Sequence, residues 1–186
     1  YNVISSPEVV VRTSVQHAVG GYRPELPHAG DLEMWLRIAA VSDIAYVRGV
    51  PQAYYRVHPQ SMQRTTFGAD LDDLRQRREV FRQFFERNGD RVDDAARLHA
   101  MANLQLARQA LWSVCRAYHR DDLDRVPVDS LTEFAEETSA EFDKSPEYRA
   151  LRRRRRLGPK VCHRTQIFAL TVIAKRLQYQ YRFARW

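Results

Sequence analysis

The spacing of apolar residues along the chain changes character near Thr66. Before that point, short β-branched runs at residues 9–11 and 44–47, punctuated by Gly20-Gly21 and Gly49-Val50-Pro51, predict mixed helix and strand. After it, Leu71, Leu74, Val80, Phe81, Phe84 and Phe85 recur at helical intervals. Leu98, Met101, Ala102, Leu104 and Leu111 resume the spacing beyond a stop at Asn88-Gly89. Two antiparallel helices over residues 70–118, joined by a short turn, are expected. A third helix is predicted from Asp129-Ser130, where a capping residue is followed three positions on by Glu133, to just before Ser145-Pro146. Leu131, Phe134, Ala135 and Phe142 form its apolar stripe. Behind a hinge at Leu157-Gly158-Pro159, a last helix is expected over residues 164–183.

Composition sets the scale. With 186 residues, 44% of them apolar and 11% aromatic, the chain can bury a core of one ordinary domain, or of a small domain with an appendage. General disorder is excluded on the same grounds. The net charge of +7 is localised: residues 149–186 carry 12 arginines and lysines and no acid, more than the whole excess. A polyanion partner is therefore to be sought at the C-terminal end. Cys115 and Cys162 have neither metal-knuckle nor disulfide-framework spacing, which fits a reducing compartment. No apolar run approaches the roughly 18 residues of a spanning helix. No leader pattern opens the sequence, although residue 1 need not be a natural start.

The candidate chemistry lies between residues 18 and 58. Asp31 opens an amphipathic segment with Met34, Trp35, Ile38 and Ala39 on one face and Glu33 and Arg37 off it. An acid at a helix start caps free N–H groups and suits the dipole, and a carboxylate so held can also serve as a general base. Glu33, about 200° further round a helix, should not share the direction of Asp31. His58 ends a strand-like run over residues 52–57, and Arg56 would point to the same side of an extended strand. The bland alternatives are a surface histidine and an arginine paired with a helix acid. Dinucleotide, phosphate-loop, zinc-protease and nucleophile-elbow motifs are absent from the sequence. His17, His99, His119 and His163 have no companion ligands at helical or hairpin spacing.

In order and spacing, Gly20-Gly21-Tyr22, the loop through Leu26, Pro27 and His28, then Asp31, Trp35, Arg37, Tyr55, Arg56 and His58 resemble the acceptor half of family 2 glycosyltransferases. The resemblance covers about residues 3–65. It implies that this part completes the edge of the mixed sheet of a GT-A type, Rossmann-like fold. The fold class expected is thus α+β, mainly α: a partial GT-A segment at 1–65, a helical bundle extension at 66–148 and a basic amphipathic tail helix at 149–186. It further implies an inverting enzyme with Asp31 as base, Gly30 standing where relatives carry the first member of an acid pair. By the same resemblance His58 is a ligand of a divalent metal, Mg or Mn, and Arg56 binds the diphosphate. Gly20, Gly21, Tyr22 and Trp35 would lie at the acceptor, Trp35 having a core-facing alternative. The implied partners are a nucleotide-sugar donor and a glycan or lipid-linked acceptor, at the cytoplasmic face of a membrane. The nucleotide, and most of the metal's ligands, would be held by a preceding half with an Asp-x-Asp motif. Asp122-Leu123-Asp124 comes in the wrong order for that role. Without that half, catalysis is not expected. The competing class is a non-catalytic helical interaction or membrane-docking module.

Arg152 to Arg156 form an unbroken run, read as a solvated segment or as a contact for nucleic acid or anionic lipid. With no nucleic-acid reader motif beside it, nucleic acid is not expected. Of the apolar residues that follow, those at 167–173 are expected to pack as core. The terminal Tyr179, Tyr181, Phe183 and Trp186, interleaved with cations, suit an anionic membrane surface.

Overall fold

The computed structural model describes residues 4, 6–47, 49, 53, 54, 58, 70–165, 173, 174 and 177. The chain is mainly helical, in the order α1 (Thr13–Val19), α2 (Gly30–Ala39), α3 (Asp70–Asn88), α4 (Ala95–Arg120), α5 (Val128–Thr138), α6 (Pro146–Leu157) and α7 (Pro159–Thr165). The strands expected at 9–11 and 44–47 are not formed, and no strand occurs among the described residues. At 9–11 the alternation has another cause. Val9 and Val11 pack against α2 while Val10 faces water, so a single strap covers a helix with no neighbouring strand. At 44–47, Ile44, Tyr46 and Val47 are exposed, so their side chains reach solvent rather than a second layer. Among the described residues no helix is long and apolar enough to cross a membrane.

Two compact units divide inside α4, residues 1–106 and 107–186. In the first, α2 is the hub. Leu32, with Leu26 and Ala29 of the preceding loop, meets Val80 of α3, while Met34, Trp35 and Ile38 meet Ile4, Val9, Val11, Val15 and Val19. A helix covered on two sides needs apolar residues round most of its circumference, and this one has them. On α3, Leu71, Leu74, Val80 and Phe84 form the buried stripe. A 3-10 turn at Gly89–Arg91 then reverses the chain, and Phe85 stacks on His99 of α4 at 4.9 Å between ring centroids. The helix pair and its stop were legible in the sequence.

The outer side of α3 carries Arg82 between Glu79 and Glu86. The hydrogen bond from Arg82, with help from one from Gln83, holds the Glu79 carboxyl at about 2 against the opposing effect of partial burial. A carboxyl depressed in the folded state stabilises fully above its unfolded value of 4.5 and loses that contribution as pH falls toward 2. Glu79→Gln should therefore lower the unfolding midpoint slightly at neutral pH. The difference from wild type should close between pH 4.5 and 2, read by urea denaturation at a series of pH values.

In the second unit, Ala107, Ala110, Leu111, Val114 and Cys115 of α4, Leu131, Phe134 and Ala135 of α5, and Leu151 of α6 are buried. The expected capping box is not used. Helix α5 starts at Val128 behind Pro127 with no side-chain cap bond, so Ser130 lies within it, and it ends at Thr138 rather than near residue 144. The cap belongs instead to the next helix. Ser145 accepts a hydrogen bond from the Tyr148 N–H at 3.1 Å, and Pro146 fills the first helical position. The five arginines consequently lie in a packed helix. Arg154 is buried on its inner side, its guanidinium 5.8 Å from the Trp112 ring, a correction to the wholly solvated run. Gly158 ends α6 at φ 77°, ψ 160°, a conformation that glycine adopts and side-chain-bearing residues avoid. The break falls where the sequence puts it, but the helix beyond it starts at Pro159 rather than near residue 164, since Pro159 can take the first helical position directly after the glycine. Of the apolar residues expected to pack at 167–173, Ile173 is exposed and the others lie outside the described residues.

Candidate functional site

The Gly20-Gly21-Tyr22 turn meets α2 at both ends, through Arg37 of its last turn and through the Tyr22 ring beside Gly30 at its start. Gly20 closes α1 at φ 82°, ψ −175°, so one of the two glycines supplies the positive φ expected of the pair. Arg37 donates to the carbonyls of Val19 and Gly21, the latter at 2.8 Å, and Gln16 donates to the Gly20 carbonyl at 2.5 Å. Tyr22 is exposed, with its ring edge 3.6 Å from where a Cβ on Gly30 would stand. The turn, Gly30 and the start of α2 are thus one local structure.

Asp31 lies in the first turn of α2 but not at its cap, which is Ala29 and makes no side-chain cap bond. Its Oδ1 accepts the neighbouring Leu32 N–H at 2.7 Å, and its Oδ2 accepts the Ser6 hydroxyl at 2.9 Å. Ser6 in turn accepts from Trp35 Nε1 at 3.4 Å. The indole, hydroxyl and carboxylate form a relay that fixes the orientation of the acid, which remains half-buried. Trp35 takes its core-facing alternative: at 7% exposure, packed with Met34, Ile38 and the residue 9–11 strap, it has no free face on which an acceptor could stack. His58 is exposed. Arg56 lies outside the described residues, as do most of the strand-like residues 52–57.

Glu33 departs most from expectation. Placed off the apolar face by its spacing, its side chain is only 4% exposed. It accepts from Arg23 Nε at 2.6 Å and from Arg37 Nε at 2.8 and 2.9 Å. One buried carboxylate thereby ties the residue after Tyr22 to the arginine that holds the Gly-Gly turn. As expected, it does not share the surroundings of Asp31. The loop between turn and helix is tied down separately: His28 Nε2 meets Asp73 of α3 at 2.9 Å, and the N–H groups of His28 and Ala29 donate to Gln76 Oε1. The Glu33/Arg37 spacing of four was a usable signal, whereas nothing in the sequence singled out Ser6, Arg23, Asp73 or Gln76.

Among the described residues no group of three or more histidines, cysteines or acids could hold a metal ion. His58, a single exposed side chain, makes no metal site by itself. No family model matches the chain, and no similar curated protein or solved structure was found.

Proposed function

We propose that the chain is the acceptor-side portion of an inverting glycosyltransferase of family 2 type, with Asp31 as the general base. The observation that carries this reading is the junction just described. A glycine turn is held by Arg37, and the exposed tyrosine that follows it lies against Gly30, the first residue of the helix that presents an oriented carboxylate at Asp31. In the reaction, an acceptor hydroxyl gives its proton to Asp31 as its oxygen bonds to the anomeric carbon of a nucleotide-sugar. The bond from that carbon to the diphosphate breaks, and the electron pair leaves with the nucleoside diphosphate. Ser6 and Trp35 keep one carboxylate oxygen oriented while Asp31 works. They are positioning residues.

The finer fold reading, with residues 1–65 at the edge of a GT-A, Rossmann-like sheet, belongs to the same proposal. The sheet and the nucleotide site would come from another half of the enzyme. That half would also hold most of the ligands of a Mg or Mn ion, with His58 adding one ligand and Arg56 meeting the diphosphate. Gly20, Gly21 and Tyr22 would flank a glycan or lipid-linked acceptor, at the cytoplasmic side of a membrane.

The test is turnover by the protein carrying its nucleotide-binding half, read as nucleoside diphosphate released from a panel of nucleotide-sugars. Asp31→Asn should lose at least about 100-fold in kcat, the low end of what a positioned base supplies, with an unchanged circular dichroism spectrum. Unchanged turnover would remove Asp31 as base. The mainly helical make-up of the chain would then favour a non-catalytic interaction module.

A further inference from the structure

Helix α6 sorts its arginines by face. Its inner face, Glu147, Leu151 and Arg154, recurs at four and three residues and is buried. Arg149, Arg152, Arg153 and Arg156 lie on the opposite arc and are exposed, as is Arg155 on the flank. Arg155 reaches Thr132 at 3.3 Å, and among the described residues none of these five arginines forms an ion pair with an acid. Lys160 and Arg164 of α7 extend the cationic surface beyond Gly158. Leu157 and Val161, one on each side of that glycine, are 41% and 44% exposed.

We infer that this surface of α6 and α7 docks on an anionic lipid bilayer. The argument does not rest on the glycosyltransferase reading. Five like charges on one short helix repel each other, and among the described residues no acid pairs with any of them, so a polyanion is a complementary partner. The two exposed aliphatic side chains decide which polyanion. Beside a phosphodiester backbone they would stay in water, whereas at a bilayer they enter the interfacial region while the guanidinium groups meet lipid phosphates. The sequence beyond Ile173, with Tyr179, Tyr181, Phe183 and Trp186 among four cations and no acid, has the same composition.

The experiment is co-sedimentation of the whole chain with vesicles of phosphatidylcholine, with or without phosphatidylglycerol. Binding should require phosphatidylglycerol and weaken as NaCl is raised. The triple variant Arg152→Glu, Arg153→Glu, Arg156→Glu should bind on the order of 100-fold more weakly, since each cation near an anionic surface contributes about fivefold. Leu157→Ser with Val161→Ser should weaken binding severalfold with every charge kept. All five positions are exposed, so the variants should retain the wild-type circular dichroism spectrum. A control with the same charge change, Arg87→Glu, Arg91→Glu, Arg120→Glu, should lose far less. Equal loss in the control, salt-insensitive binding, or equal binding to pure phosphatidylcholine would overturn the assignment. Single-stranded RNA that displaces the chain from vesicles, with the Leu157 and Val161 variant indifferent, would overturn it in favour of nucleic acid.

Discussion

Glu33→Gln should lower the unfolding free energy by about 3–5 kcal/mol, the cost of removing one partner from a buried ion pair. The size follows from the geometry. Glu33 accepts three hydrogen bonds from two guanidinium groups, and the Arg37 and Arg23 side chains are themselves only 13% and 27% exposed. Without the carboxylate, two cations face each other in a partly desolvated space. A glutamine can accept from one of them but cannot offset either charge. The loss should extend beyond stability, because Arg37 also holds the carbonyls of Val19 and Gly21. Hydrogen exchange at residues 19–23 should therefore accelerate more than in α3. Glu33→Asp, which keeps the charge and shortens the reach, should recover part of the stability. Urea denaturation of the two variants side by side provides the check, and equal stability of Glu33→Gln and wild type would show that the carboxylate does not hold this corner.

The same residue marks a limit of reading the sequence. Periodicity located α2, α3, α4 and the stop between the last two, because one apolar stripe per helix is what packing against a single neighbour demands. Helix α2 packs on two sides, and there the rule of one stripe misplaces Glu33, whose burial depends on arginines at positions 23 and 37. Arg154 was hidden for the same reason: within five identical residues, only the register of α6 decides which one turns inward. Residues 9–11 show the reverse error. Alternation reports that every second residue is buried, but not whether the covering surface is another strand or a helix. The capping assignment went to the wrong serine. Ser130 with Glu133 reads as a helix start and is not used, whereas Ser145 with Pro146, read only as the limit of that helix, is the start of the next one. At the candidate site, the turn, Asp31 and its separation in direction from Glu33 were legible. Ser6, which orients Asp31 from 25 residues away, left no local trace.

Arg108→Met should destabilise the chain by about 3–5 kcal/mol, and Glu147→Gln by about 1–2 kcal/mol, although both remove the same ion pair. Arg108 Nε and a terminal nitrogen meet the two Glu147 oxygens at 2.7 and 3.3 Å, linking α4 to the first turn of α6. The partners differ in their access to water: the Arg108 side chain is 34% exposed and that of Glu147 only 2%. When the acid is removed, Arg108 can turn its head to solvent on a flexible stem and keep its hydration. When the arginine is removed, Glu147 remains fixed by the helix, its own carbonyl against the Cys115 thiol, and its charge stays buried. The favourable dipole at the start of α6 offsets only a fraction of that cost. The double variant should be less destabilised than the sum of the singles by about 1–3 kcal/mol, because removing the acid also removes the burial penalty that Arg108→Met exposes. A double-mutant cycle by urea unfolding measures all three quantities. Equal costs for the two single variants would show that relief by solvent plays no part in this pair.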